Sequence, residues 1–110
     1  MAYDEDLVNR IRELLASEQG VDTKRMFGGL AFLINGNMSV AASGQGGLLV
    51  RVPPEDTDKL LTRAHVSPMV MAGREFRGWL RVDAAGMQTK RQLGSWVSRS
   101  VGYARGLPPK

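Results

Sequence analysis

Residues 24–52, KRMFGGLAFLINGNMSVAASGQGGLLVRV, decide how this chain folds. Leu30-Ala31-Phe32-Leu33-Ile34 is an apolar run of strand length, and Met38 to Ala42 is a second. Between them, Asn35-Gly36-Asn37 supplies the residue types that accept positive φ in a tight hairpin turn. Ser43-Gly44-Gln45-Gly46-Gly47 is another turn, and Leu48-Leu49-Val50-Arg51-Val52 is a third strand. Gly28-Gly29 break the run ahead of Leu30, as expected where backbone bulges or packs closely. The segment reads as an antiparallel meander of three or four strands. Connections this short cannot accommodate a parallel crossover.

On the N-terminal side, Tyr3, Leu7, Ile11 and Leu14 recur at helical spacing, with Val8 and Leu15 widening the stripe. The spacing predicts a helix over 4–17, with Asp4, Glu5 and Asp6 in the turn where the dipole favours negative charge and Gly20 beyond its end. On the C-terminal side, Pro53 and Pro54 end the third strand. Pro54 suits the first turn of a short helix bearing Leu60, Leu61 and Ala64. Met69-Val70-Met71 and Gly78-Trp79-Leu80-Arg81-Val82 read as two more strands with a turn at Gly73-Arg74-Glu75. Leu93, Trp96, Val97, Val101 and Ala104 then predict a helix over 89–104, with Arg91, Arg99 and Arg105 on its other side. Strands grouped in runs between helices imply an α+β fold, two layers deep, in which helices cover an antiparallel sheet.

The length of 110 residues suits one domain with one modest core. With no cysteine, disulfides, thiolate catalysis and cysteine-ligated metals are excluded for this chain. The acidic start and the absence of a long apolar run argue against a secretory signal or a membrane span, so a cytoplasmic setting is expected. The net charge of +4 is unevenly placed: residues 74–110 carry eight basic groups against Glu75 and Asp83.

The string Lys24-Arg25-Met26-Phe27-Gly28-Gly29-Leu30-Ala31-Phe32, followed by Asn35-Gly36-Asn37-Met38, resembles the N-terminal domain of the TfoX/Sxy family. Leu48 to Val52, Gly78 to Asp83 and the closing Trp-containing helix agree, and the resemblance spans essentially the whole chain. It implies a fold similar to secretion chaperones, in the order α-β-β-β(-β)-α-β-β-α. Longer members of that family regulate natural competence and act with the cyclic-AMP receptor protein at promoters, using a second domain that is not expected within residues 1–110. The resemblance brings no catalytic or ligand-binding residue set.

The residues themselves offer little for catalysis. His65 is the one histidine, and it falls in a loop before Pro68 without the acidic or imidazole neighbours a metal requires. Gly44 to Gly47 lacks the Lys-Ser/Thr and helix of a phosphate loop, which leaves a hairpin turn. No enzyme activity, metal or cofactor is expected. The first expectation is a regulatory adaptor that binds a protein partner, with Lys24, Arg25, Met26, Phe27, Gly28 and Gly29 as its recognition segment. The alternative is direct binding of nucleic acid by Arg74, Arg77, Arg81, Arg91, Arg99 and Arg105. Strict alternation puts Arg77, Trp79 and Arg81 on one strand face. A sheet covered on one side also leaves a face or an edge for a second copy, so a homodimer is a further expectation.

Overall fold

A computed structural model describes residues 4–26, 28–71 and 73–110, so Tyr3 and Phe27 lie outside the described residues. The elements are α1 (Glu5–Leu14), β1 (Val21–Met26), β2 (Gly29–Ile34), β3 (Asn37–Ala42), β4 (Leu48–Arg51), a 3-10 turn (Pro54–Asp56) running into α2 (Thr57–Leu60), β5 (Val66–Met71), β6 (Arg74–Val82), a second 3-10 turn (Ala84–Met87) and α3 (Lys90–Arg105). All neighbouring strands are antiparallel in the order β1-β2-β3-β4-β6-β5. The α+β architecture and the layered arrangement are as the sequence predicts.

The turn chemistry carries the meander. Asn35 at φ 52° and Gly36 at φ 85° turn β2 into β3, the positive pair that matches strand twist in a two-residue hairpin. Gly46 and Gly47, at 89° and 81°, turn β3 into β4. Between Phe32 and Leu33 the β2–β3 register slips, leaving Ser39 as an extra residue. The buried Ser39 hydroxyl donates to the Phe32 carbonyl at 3.0 Å, so the slip leaves that oxygen satisfied.

One face of the sheet is roofed by α1 and α3. Leu7, Val8, Ile11 and Leu15 meet Leu93, Trp96, Val97 and Val101 over Phe32, Ile34, Val40, Leu48, Val50 and Leu80. Both helices are capped by side chains. Asp4 accepts from the Asp6 and Leu7 amides, so it stands just ahead of α1, not within its first turn. Thr89 and Gln92 form a reciprocal capping box at the start of α3.

The structure corrects three readings in the second half. The short helix ends at Leu60, so Leu61 and Ala64 lie beyond it. The strand expected to begin at Met69 begins at Val66 and passes through Pro68. β5 is an edge strand, so the missing Pro68 N–H costs no ladder bond on its outer side. Arg74 and Glu75, expected in a turn, open the long strand β6. Their pairing with Met71 and Val70 moves the turn back toward Gly73.

Candidate partner-binding face

The strand pleat gives the sheet a second face, whose apolar cluster includes no helix residue among the described residues; α3 reaches it only at the hairpin end, where Tyr103 meets Arg51. One row of paired residues crosses the whole of it: Lys24, Ala31, Ala41, Leu49, Arg81 and Ser67, each opposite the next. The centre of the row is apolar and small; its flanks are cationic. Ala31, Ala41, Leu49 and Met69 are buried here, packed against the partly exposed Met26, Met38 and Trp79. Two methionines and a tryptophan therefore form the visible apolar surface of this side. Methionine is unbranched and polarisable, and it adapts to the shape of what it meets.

Toward the β2–β3 hairpin this surface dips into an open groove of about 400 Å³. Its apolar lining is Met26, Leu33, Met38 and Trp79, and its cations are Lys24, Arg51 and Lys110. The hairpin end is fixed by the C-terminal segment: Lys110 donates its amide to the Asn35 carbonyl at 2.9 Å, and Asn37 Nδ2 donates to Pro108 at 2.9 Å. Arg51 and Trp79 are directly opposed on β4 and β6. The Arg51 guanidinium stands 5.7 Å from the Trp79 ring and 5.6 Å from the Tyr103 ring, so two aromatic faces hold it at the groove.

A second groove of about 430 Å³ runs between α1 and α3. Its charged groups, Glu18 and Arg105, bind each other at 2.9 Å and leave it no free charge for a ligand.

The segment 24–29 is split by the structure. Lys24 and Met26 reach the helix-free face. Arg25, one position out of phase, pairs with Leu30 and is exposed toward the helix side. Gly28 turns the chain at φ 69°. At Gly29 a Cβ would stand 1.8 Å from the Ala42 carbonyl oxygen, so this glycine lets two strands approach. Phe27 lies outside the described residues.

The six arginines of the basic third are dispersed. Arg81 clamps the β3–β4 turn, donating to the Gly46 carbonyl at 2.6 Å and to Ser43 Oγ at 3.3 Å. Arg77 is tied to α2 through Asp58 and the Pro54 carbonyl. Gly78, at φ 85°, breaks the alternation that was expected to align Arg77 with Trp79 and Arg81; only the latter two share a face. Gly78 instead donates its amide to the buried Thr57 Oγ1 at 2.8 Å. Arg99 stands 5.9 Å from the Trp96 ring, which Arg63 also approaches, and Arg105 binds Glu18 and the Gln19 carbonyl. Arg74 and Arg91 are exposed, on β6 and α3.

His65 occupies a loop at φ 68°, with Nδ1 3.2 Å from Asp83 Oδ1. Among the described residues, no three His, Asp or Glu side chains converge on a metal-sized site. No described helix is long and apolar enough to cross a membrane.

Sequence reasoning found Lys24 and Met26 but missed Leu33, Met38 and Arg51, which it read only as strand interior. Their alternation with the core-facing residues was the available signal. No curated protein and no solved structure matches the chain. The TfoX N-terminal domain family matches residues 13–104. That span runs from α1 through all six strands to the last turn of α3, and the chain belongs to the TfoX N-terminal domain family.

Proposed function

We propose that this chain is a regulatory adaptor, without catalytic activity of its own, that binds a protein partner through the helix-free face of its sheet. Family membership supports the regulatory half of this reading; a link to transcription and a cytoplasmic setting are part of the proposal. The observation that carries the binding half is the groove of Met26, Leu33, Met38 and Trp79 on a face that a solvated sheet would line with polar residues. Direct nucleic-acid binding draws less support, because four of its six arginines are committed to contacts within the fold and the six form no continuous track.

The test is affinity capture from an extract of the source cell. The bait is the full chain as wild type and as Met38→Asp, with protein and nucleic acid both quantified by mass spectrometry. Met38 is only partly buried, so circular dichroism is expected to show both baits equally folded. A protein retained by wild type and lost from Met38→Asp supports the reading. Identical captures, or a nucleic acid as the sole retained species, refute it.

A further inference from the structure

We propose that the groove on the helix-free face accepts an acidic segment of a partner protein, one large apolar side chain flanked by carboxylates. This rests on the adaptor reading and specifies the chemistry of its partner.

The groove has an apolar floor. Met26, Leu33, Met38 and Trp79 line an opening of about 400 Å³, within the range that encloses a few side chains. Its rim is cationic. Elsewhere on the molecule Arg77, Lys90 and Arg105 pair with Asp58, Glu13 and Glu18, while other cations, such as Arg25, Arg74 and Arg91, have no ion pair among the described residues. Lys24, Arg51 and Lys110 likewise have no carboxylate partner among the described residues; what sets them apart is that all three border one groove with no acidic side chain in its lining. Asp22, on the same face of β1, lies outside that lining and accepts from the Thr23 amide. Unpaired cations around an apolar floor are complementary to an apolar residue set among Asp or Glu.

The same charges argue against other occupants. A second copy stacked on this face would bring two sets of cations into one interface, with no acidic side chain in the groove lining to offset them. A nucleic-acid strand needs successive stacking platforms, whereas among the described residues the groove lining holds one ring, Trp79, and its other apolar side chains are aliphatic or thioether.

The experiment uses the full chain and three fluorescein-labelled heptapeptides with Leu-Phe at the centre, flanked by Glu, by Gln or by Lys. Binding is read by anisotropy at low and at moderate salt. The Glu peptide is expected to bind at least about tenfold tighter than the Gln peptide, the Lys peptide not at all, and the Glu preference to shrink with salt. Met38→Asp is expected to abolish binding. Lys24→Gln, at an exposed residue without a partner, is expected to weaken the Glu peptide about two- to fivefold while leaving the Gln peptide unchanged.

Equal affinity for the Glu and Gln peptides overturns the proposal, as does binding indifferent to Met38→Asp and Lys24→Gln. So does oligothymidylate displacing the Glu peptide, or self-association in sedimentation that Met38→Asp abolishes. If no heptapeptide binds while extract capture still depends on Met38, the acidic-segment proposal fails and the adaptor reading stands. If capture is indifferent to Met38 as well, both fail.

Discussion

Gly29→Ala separates a structural glycine from a recognition glycine in the Met26 to Gly29 block. The added Cβ would lie 1.8 Å from the Ala42 carbonyl oxygen and 2.9 Å from both the Ala42 carbonyl carbon and the Gly44 nitrogen. All three are backbone atoms, so no rotamer change relieves the clash, and β2 and β3 have to part where they pair. Overpacking costs about 1–3 kcal/mol, and an immovable backbone obstacle places this case near about 3 kcal/mol. Gly46→Ala is the control. Gly46 has φ 89° but no atom within 4 Å of an added Cβ, so only backbone strain of about 1–2 kcal/mol applies. For a chain of this size each kcal/mol lowers Tm by about 4 °C. Thermal unfolding followed by circular dichroism should therefore show Gly29→Ala melting about 12 °C below wild type and Gly46→Ala about 4–8 °C below. A Gly29→Ala protein that melts within a degree or two of wild type refutes the steric account and returns this glycine to a role outside the fold.

Thr57→Val removes the buried acceptor of the Gly78 amide while keeping the side-chain shape, and urea unfolding should show a loss of about 1–3 kcal/mol. Thr89→Ala deletes one half of the capping box of α3 and should cost about 1 kcal/mol, with faster hydrogen exchange at the Gln92 amide. Arg105→Ala breaks the contacts to Glu18 and Gln19, but the pair is more than a third exposed. Its cost should stay under about 1 kcal/mol and shrink with added salt.

What could be read from the sequence depended on how local its cause was. The β2–β3 hairpin was legible because Asn35 and Gly36 themselves tolerate the positive φ that the turn demands. The two long helices were legible because Leu7, Val8 and Ile11, and Leu93, Trp96 and Val97, repeat with the period of the face they bury. Pro68 misled because a proline is read as the end of a strand, whereas an edge strand has a side on which no N–H is required; sheet order, not sequence, decides that. Gly78 misled for a similar reason. Its kink is held by Thr57 Oγ1 and by the Val52 amide, which donates to the Gly78 carbonyl at 2.9 Å, and neither partner is near in sequence. The candidate site was half visible: Lys24 and Met26 stand in a conspicuous block, while Arg51 acquires its meaning from Trp79 across the β4–β6 ladder.

Strand β4 shows why the helix-free face is more than a solvated surface. Leu48 and Val50 point to α3 and are fully buried, which leaves Leu49 and Arg51 for the other side. A strand with one wet face is expected to alternate apolar with polar, yet Leu49 is apolar, and so are Ala31 and Ala41 across the ladder from it. Those three are buried together with Met69, and the partly exposed Met26, Met38 and Trp79 pack against them on the same face. Covering small residues with long flexible ones leaves apolar atoms at the surface that a partner can displace or join. Edge-to-edge aggregation is held off at the flanks, where β1 is exposed and carries Lys24 and Arg25. Lys24 and Arg51 beside this apolar layer are what the proposed acidic, partly apolar partner would meet, and the Glu, Gln and Lys peptides separate the charged contribution from the apolar one.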